Sequence, residues 1–369
     1  MKASHLNRYF IKILLFFNLI TFTNYILAQT SNDYKEEWSK KLIFKGLILE
    51  EKNYHIWCTS PIWGNDNKVH LFVSRIPILP NDKSYKKGFE YWYSSSEIAQ
   101  YSSNSPEGPF TFQRVLLKPG EAPVGAWNSG TQHNPTIKYI DGKYVLLFHS
   151  NTSTLNNWTK KSHVIGMITS KNINGPWSAP KMILAPPSSS DTAIWSHKIF
   201  GGIDNPTLLK HPENGKYYLY YRGSYKATNG RTINTYGVAI ASNLEGPYTH
   251  YPKRVTNNDE TRFIEDPYVF VHKNKIYLLM TDNYLEKGLL LSSDDGLFFE
   301  FQDGKLGFDK MNQYVPDSIL KKAPNYHADK FERPQLLLKK GKPTYLYAPA
   351  GVNLNNGPGT ACYLFKIQY

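Results

Sequence analysis

Apolar strands, each introduced by a proline, recur five times along the chain. In every copy a residue followed by proline opens an apolar segment, and a tight turn leads into a second one, which predicts a β-hairpin. The prolines are spaced 61 to 74 residues apart, at Pro61, Pro135, Pro206, Pro267 and Pro334. A period of this length holds four strands, which is typical of a β-propeller blade.

A second motif alternates with the hairpins and predicts the turns between the third and fourth strands of a blade. It consists of Gly-Pro followed by an aromatic residue, at Gly108-Pro109, Gly175-Pro176 and Gly246-Pro247. The last repeat has only one strand after its hairpin, from Ala361 to Tyr369, and Leu42 to Leu49 is predicted to supply the missing strand. We therefore expect residues 29–369 to form one all-β domain, a five-bladed β-propeller of four-stranded antiparallel blades, closed into a ring by its N-terminal strand.

The N-terminus has the pattern of a secretory signal peptide. Lys2, Arg8 and Lys12 give a basic start, an apolar run follows over residues 13–26, and Ala28 is a small residue suited to cleavage. The run is short for a membrane span and no second one follows it. The pattern predicts a signal peptide over residues 1–28, a secreted or periplasmic protein, and no membrane span.

The chain is basic, with a formal net charge of +13. Positive charge favours encounter with acidic partners such as uronic or sulfated glycans, although surface lysines also serve solubility alone. No nucleic-acid-binding motif accompanies the charge, so nucleic acid is not an expected partner. Aromatic residues make up 15% of the chain, and their flat apolar faces suit both sheet cores and stacking on sugar rings.

The two cysteines, Cys58 and Cys362, lie in the first and last repeats. A closed propeller makes these repeats neighbours, and export permits a disulfide between them. A bridge that locks the ring and a pair of buried free thiols are both open at this stage.

The predicted topology brings the starts of the five first strands together around the axis, on one face of the propeller. The residue pairs at these starts are Thr59-Ser60, His133-Asn134, Asp204-Asn205, Glu265-Asp266 and Glu332-Arg333. Glycoside cleavage needs a proton donor and a second carboxylate, and a histidine can move protons near neutral pH. We therefore expect the catalytic residues to be among Asp204, Glu265, Asp266, Glu332 and His133.

Further polar and aromatic residues are predicted to bind the substrate on the same face. Asn134 and Asn205 are candidates, with turn formation before proline as the alternative. Arginine forks suit carboxylate or sulfate groups, and the alternative is internal pairing with the acids; the candidates are Arg75, Arg222 and Arg333. Stacking on sugar or loop packing are the two alternatives for Trp63, Trp127, Trp195 and His197. No cofactor is required, no metal ligands are assigned, and a calcium ion at the centre stays an open alternative.

The five hairpins and the Gly-Pro-aromatic turns resemble the five-bladed propellers of glycoside hydrolase families 43 and 117. The resemblance to family 43 implies a base, a pKa-tuning Asp and an acid Glu at blade starts, with Asp204, Glu265, Asp266 and Glu332 as the matching acids. The resemblance to family 117 implies action on anhydrogalactose ends of red-algal oligosaccharides and a functional histidine. The chain departs from family 43 in having Ser60 and Asn134 where that family has Asp.

Three functions follow from these observations. The first is a secreted glycoside hydrolase that cleaves poly- or oligosaccharide, including anionic or algal glycans, by carboxylate acid–base chemistry in a central pocket. The second is a propeller that binds glycans without cleaving them. The third is a polysaccharide lyase, in which His or Tyr acts as the base and Arg neutralises a uronate.

Overall fold

A computed structural model describes residues 38–78, 91–152, 162–259, 261–320, 330–351 and 359–369. The predicted signal peptide, residues 1–28, lies outside these described residues. Within them, no helix is both long enough and apolar enough to cross a membrane.

Five four-stranded antiparallel sheets account for all the strands of the described chain. The first strand, β1 (Leu42–Leu49), joins the last sheet. Blade one contains β2 (Tyr54–Trp63), β3 (Val69–Pro77), β4 (Glu97–Ser103) and β5 (Thr111–Leu117). Blade two contains β6 (Gln132–Ile140), β7 (Lys143–Ser150), β8 (Val164–Ser170) and β9 (Lys181–Leu184). Blade three contains β10 (Phe200–Lys210), β11 (Tyr217–Lys226), β12 (Thr232–Ala241) and β13 (Thr249–His250).

The remaining elements form the last two blades and their connections. Blade four contains β14 (Ile264–His272), β15 (Lys275–Asp282), β16 (Lys287–Ser293) and β17 (Lys305–Phe308). Blade five contains β18 (Gln335–Lys339), β19 (Lys342–Ala350), β20 (Ala361–Ile367) and, at its outer edge, β1. Helical turns are short, at Ser39–Lys41, Trp92–Ser95, Trp195–Lys198, Phe301–Asp303, Met311–Gln313 and Asp317–Leu320. The predicted five-bladed propeller is confirmed.

The N-terminal strand closes the ring as predicted. β1 pairs antiparallel with β20, from Leu42 opposite Ile367 to Leu49 opposite Cys362. Blade five therefore combines strands from both ends of the described chain, and this pairing covers an edge of β20 that would otherwise expose unpaired backbone groups.

The hydrophobic core lies between neighbouring blades. Alternate side chains of each strand face the adjacent sheet, and aromatic residues fill the space between them. Between blades four and five, Phe331 packs against Tyr363 and Phe365 with ring centroids 5.8 and 5.0 Å apart. The three Gly-Pro turns connect the third and fourth strands of blades one to three, as the sequence predicts.

Both cysteines are buried free thiols, so the disulfide considered from the sequence is not present. Cys58 Sγ is engaged by other groups: it lies 3.0 Å from the carbonyl oxygen of Pro135 and accepts a 3.1 Å hydrogen bond from Arg333 Nε. Burial raises the pKa of the Cys58 thiol to about 11, which keeps it protonated and poorly reactive at neutral pH.

Candidate active site

A backbone irregularity lies at the axial end of the inner strand of every blade, within the strand in blades one to four and just before it in blade five. In each case one residue has φ between +40° and +62°, and these residues are Cys58, Asn134, Asn205, Asp266 and Arg333. Register shifts mark the same positions in β2, β6, β10 and β14. Successive side chains of a regular strand point to opposite faces, and a bulge re-aims them. Consecutive residues such as Glu265 and Asp266 therefore face the same space.

Blade one differs from the prediction made from the sequence. Ser60 was predicted to occupy the axial position that Asn134 and Asn205 hold in their blades, whereas the residue with positive φ in blade one is Cys58. Ser60 lies two residues further into β2, opposite Phe72, where its hydroxyl donates a 2.9 Å hydrogen bond to Gln335 Oε1. In this repeat Pro61 does not directly follow the residue with positive φ, Cys58, whereas in the other four repeats the proline directly follows that residue. The residue presented to the axial cavity in blade one is consequently Trp57.

A cavity of about 560 Å³ opens at this end of the axis. We call it the top cavity. It brings together eight of the residues predicted from the sequence, namely His133, Asn134, Asp204, Asn205, Arg222, Glu265, Asp266 and Glu332. The cavity therefore collects four carboxylates from three consecutive blades on one side, and the imidazole and amides of blades two and three on the other.

Arg222 lies between the carboxylates of blades three and four. Its Nε donates to Asp204 Oδ1 at 2.7 Å, and Nη2 donates to Oδ2 of the same carboxylate. Its Nη1 donates to Glu265 Oε1 at 2.6 Å. The side chain is 9% exposed, and the two acids hold the pKa of this guanidinium above its usual range, against the opposing effect of burial. All three nitrogens of the guanidinium are thus occupied by protein carboxylates.

Glu265, which is partly buried, and Asp266, which is buried, both have raised pKa values. Burial raises the pKa of Glu265 to about 7, although Arg222 opposes the shift, and the nearby acids Asp266 and Glu332 add to it. Burial likewise raises the pKa of Asp266 to about 6, opposed by Arg333 and reinforced by Glu332. The two groups interact, so the pair retains a proton near neutral pH rather than being fully ionised.

Amide side chains fix the orientation of both acids. Asn234 donates to Glu265 Oε1 at 3.1 Å, and Asn283 donates to Oε2 at 2.7 Å. Asn205 donates to Asp266 Oδ1 at 2.8 Å. Asn205 in β10 and Asn234 in β12 belong to blade three, and Asn283 follows β15 in blade four, so the two carboxyls are hydrogen-bonded by both blades.

Glu332 completes the acidic side of the top cavity. It forms an ion pair with Lys330, and Lys330 Nζ also donates a 2.9 Å hydrogen bond to Asn283 Oδ1. The lysine, the amide and two acids, Glu265 and Glu332, therefore form one continuous polar network along the wall of the cavity.

Histidines form the opposite wall. His133 stacks on Trp92 with ring centroids 4.9 Å apart, and its Nδ1 lies 2.7 Å from the Ser96 hydroxyl. His149 lies 5.3 Å from His133, centroid to centroid. Burial, together with the nearby charge of Arg333, lowers the pKa values of both imidazoles well below the usual range. These rings are neutral at physiological pH, which makes His133 a hydrogen-bonding group rather than a cation.

The centre of the propeller is occupied by the guanidinium of Arg333. This side chain is fully buried, and its Nη2 donates to Asn134 O and Thr136 Oγ1, both at 3.1 Å. Its Nη1 lies 3.8 Å from Asp266 Oδ1. Arg333 therefore links blade five to blades one, two and four.

The residues at the axis do not fit a central calcium ion. A divalent cation there would be repelled by the buried Arg333 guanidinium, whose hydrogen bonds already use the oxygen atoms of Asn134 and Thr136. Within the described ranges, no three His, Cys, Asp or Glu side chains are arranged to hold a metal.

Arg75 does not line the top cavity. Its Nε donates to Glu97 Oε1 at 2.9 Å, and the guanidinium lies between the rings of Tyr54 and Phe112, at 4.2 and 4.7 Å from their centroids. Internal pairing, which was the alternative considered from the sequence, accounts for this side chain.

Four aromatic or imidazole residues predicted to bind the substrate also lie outside the top cavity. Trp127 stacks on Phe148 and Trp195 on Tyr221, with centroids 6.1 and 6.5 Å apart, which is packing between blades. His197 is half-buried, and its Nδ1 lies 2.7 Å from the carbonyl oxygen of Ile194. Trp63 ends β2 at the opposite end of the axis. Loop packing accounts for the first three.

The aromatic walls of the top cavity are residues that the sequence did not single out. They are Trp57, Trp92, Phe200 and Phe263. Trp57 follows from the bulge in β2, and Phe200 is the first residue of β10. A search for aromatic residues just before each axial position would have found Trp57, whereas nothing in the repeat marks Trp92 or Phe263.

No family model matches the chain and no curated protein matches it in sequence. Solved structures do match over most of its length. A family 117 glycoside hydrolase of Zobellia galactanivorans, Zg3597, has a TM-score of 0.59 at 16% identity, over 88% of this chain and 89% of that one. The GH43_1 enzyme of Xanthomonas citri has a TM-score of 0.54 at 15% identity, over 89% and 91% of the two chains.

A third match is CoXyl43, a GH43 β-xylosidase/α-arabinofuranosidase from a compost microbial metagenome, solved in a complex with xylotriose. Its TM-score is 0.55 at 15% identity, over 88% of this chain and 95% of that one. At these identities the similarity concerns the fold. The predicted resemblance is confirmed at that level: the chain has the propeller fold of glycoside hydrolases of families 117 and 43.

Proposed function

We propose that this chain is a glycoside hydrolase that cleaves an uncharged oligosaccharide in the top cavity. The observation that carries the proposal is the set of four carboxylates around one cavity, two of which have raised pKa values. A cavity of this size and chemistry is typical of a small-molecule site, and perturbed carboxyls are typical of acid–base catalysis. The fold shared with named glycoside hydrolases supports it further.

Glu265 is the proposed proton donor. Its side chain is the most exposed of the four acids, at 21%, and its raised pKa keeps it protonated near neutral pH. Once the proton passes to the leaving glycosidic oxygen, the negative charge left on Glu265 is stabilised by Arg222 Nη1, 2.6 Å away. The guanidinium therefore stabilises the product of proton transfer more than the starting acid.

Asp266 is the proposed second carboxylate. It lies at the floor of the cavity, where Asn205 Nδ2 and the backbone NH of Arg333 donate to its two oxygens at 2.8 and 3.1 Å. Its raised pKa, about 6, lies below the value of about 7 for Glu265, so Asp266 is the member of the pair that ionises first. A glycosidase needs one ionised carboxylate, acting on water or on the sugar, beside the proton donor.

The charge of the top cavity favours an uncharged sugar over a uronic or sulfated one. Arg222 is ion-paired with Asp204 and Glu265, and Lys330 is ion-paired with Glu332. An anionic ring would meet four acids and no uncommitted cation among the described residues that line the cavity. The aromatic walls offer stacking faces, and Phe263 is 39% exposed.

The engaged arginines also argue against a lyase, since uronate neutralisation needs a free guanidinium. Binding without cleavage is the second candidate, and one observation favours it: blades one and two present Trp57 and His133 at the axis, with no carboxylate. Secretion or a periplasmic location follows only from the predicted signal peptide.

Release of reducing ends from a panel of neutral, uronic and sulfated oligosaccharides tests the proposal. We expect turnover on neutral members alone, and its loss in Glu265→Gln with retained binding. Binding without turnover by the wild-type protein would instead support the second candidate.

A further inference from the structure

A second cavity, of about 770 Å³, lies at the opposite end of the axis from the top cavity. We call it the bottom cavity. Its walls are formed by the C-terminal halves of the five inner strands, with aliphatic residues such as Ile62, Ile140, Leu208, Val271 and Leu338. The volume lies in the range of small-molecule sites. The proposed hydrolysis does not use this cavity.

Among the lysines that line this cavity, Lys138 crosses the axis of the propeller. Lys138 of β6 donates from Nζ to the carbonyl oxygen of Val269, 2.7 Å away on β14, and so crosses the axis from blade two to blade four. The same Nζ lies 3.5 Å from the ring centroid of Tyr268. An ammonium has three donors, and the Val269 carbonyl accepts only one of them.

No carboxylate balances this ammonium within the described part of the chain. The contacts of Lys138 Nζ there are a carbonyl and a ring face. Asp141, the acid that lines the same cavity, is already paired with Lys210 at 2.7 Å. Burial and the Arg333 guanidinium lower the pKa of Lys138 well below its usual range. A cation in an apolar site without an anion is unfavourable.

We propose that the bottom cavity binds a small monocarboxylate with an apolar tail. The carboxylate would pair with Lys138 Nζ, and the tail would lie along the aliphatic walls. Pairing stabilises both charges because the surroundings are apolar, and burial of the tail adds hydrophobic free energy in proportion to its area. Lys340 at the cavity rim adds a second positive charge near the opening. The proposal does not depend on the function of the top cavity.

Calorimetric titration of the full chain with octanoate and with 1-octanol tests this proposal. We expect one saturable octanoate site per chain and binding of octanol at least tenfold weaker. Lys138→Met keeps the apolar volume and removes the charge, so octanoate affinity should fall at least tenfold and octanol affinity should not fall. Lys138→Gln keeps a donor for Val269 O and should show the same loss, which covers the case in which the Met variant does not fold.

Two controls locate the site. Glu265→Gln in the top cavity should leave octanoate binding unchanged, and Lys340→Met should weaken it far less than Lys138→Met. Absence of saturable octanoate binding, or equal octanoate affinity in the wild type and both Lys138 variants, would overturn the proposal. Loss of octanoate binding in Glu265→Gln would also overturn it, because the ligand would then be in the top cavity.

Discussion

Nη1 of Arg222 lies 2.6 Å from Oε1 of Glu265, while Nε and Nη2 of the same guanidinium hold both oxygens of Asp204. One cation thus joins blades three and four at the rim of the top cavity. Arg222 orients the proposed proton donor, Glu265. Because its guanidinium is paired with these two acids, Arg222 does not bind anionic sugars, which was the role predicted from the sequence.

Removal of this clamp is expected to destabilise the fold. Arg222→Met leaves Asp204 buried beside Glu265 without a cation, and breaking such a buried pair costs about 3–5 kcal/mol. Urea unfolding measures the loss. Lys210→Met, which removes a largely exposed partner of Asp141, is the matched control and should leave the unfolding midpoint nearly unchanged. Equal effects of the two substitutions would show that the ion pairs of Arg222 do not stabilise the fold.

The pH dependence of turnover should follow the two raised carboxyls. Hydrolysis needs Asp266 ionised and Glu265 protonated, so kcat/KM should rise as pH increases through about 6 and fall as it increases through about 7. The profile is a narrow bell. An activity plateau that continues well above neutral pH would exclude Glu265 as the donor.

The raised pKa values of Glu265 and Asp266 also predict how the stability of the fold changes with pH. Both carboxyls have higher pKa values folded than the roughly 4 expected unfolded, so the folded state binds more protons between these values. Their stabilising contribution is fully present below a pH of about 4 and is lost as pH rises from there through the folded pKa values of about 6 and about 7. The free energy of unfolding should depend less steeply on pH in the Glu265→Gln, Asp266→Asn double variant than in the wild type. An unchanged slope would contradict the raised pKa values.

We expect the Arg333 side chain, rather than a metal ion, to stabilise the centre of the propeller. Arg333→Met removes hydrogen bonds to Asn134 O, Thr136 Oγ1 and Cys58 Sγ, and the melting temperature should fall by several degrees. Excess EDTA should leave the melting temperature of the wild type unchanged. A large drop with EDTA, restored by calcium, would show that the axis holds an ion after all.

Phe263 should contribute to sugar binding but not to the chemical step. Its ring is 39% exposed on the cavity wall, so Phe263→Ala is expected to raise KM about fivefold with kcat nearly constant, because a stacking contact is worth about 1 kcal/mol. Tyr284→Ala, at an exposed aromatic outside the cavity-lining set, is the control. A KM unchanged by Phe263→Ala would show that the Phe263 ring does not contribute to sugar binding.

The repeat predicted the architecture because each proline marks the same place in four blades. Asn134, Asn205, Asp266 and Arg333 directly precede proline and are the axial residues with positive φ. Blade one broke the rule because Pro61 lies further along β2 than its counterparts do along their strands, so Trp57 rather than Thr59 faces the cavity. The distance between a bulge and the next proline is a property of backbone register, which the sequence pattern alone does not specify.

Predictions for residues in the loops were less reliable than those for the strands. Trp127 and Trp195 occur between blades in the sequence, yet their rings turn inward onto Phe148 and Tyr221. The strand period determines the direction of side chains within a blade, but no such period exists in a connecting loop. The roles assigned to the acids stay predictions until activity is measured.

Hydrolysis of neutral oligosaccharides by the wild type, Glu265→Gln and Asp266→Asn, with binding measured in parallel, decides whether these two carboxyls catalyse the reaction. We expect turnover in the wild type and at least a hundredfold loss in each variant, on the scale of general acid–base catalysis. Binding should change little, since both amides keep the shape of the cavity. Wild-type rates in both variants would rule out Glu265 and Asp266 as the catalytic pair.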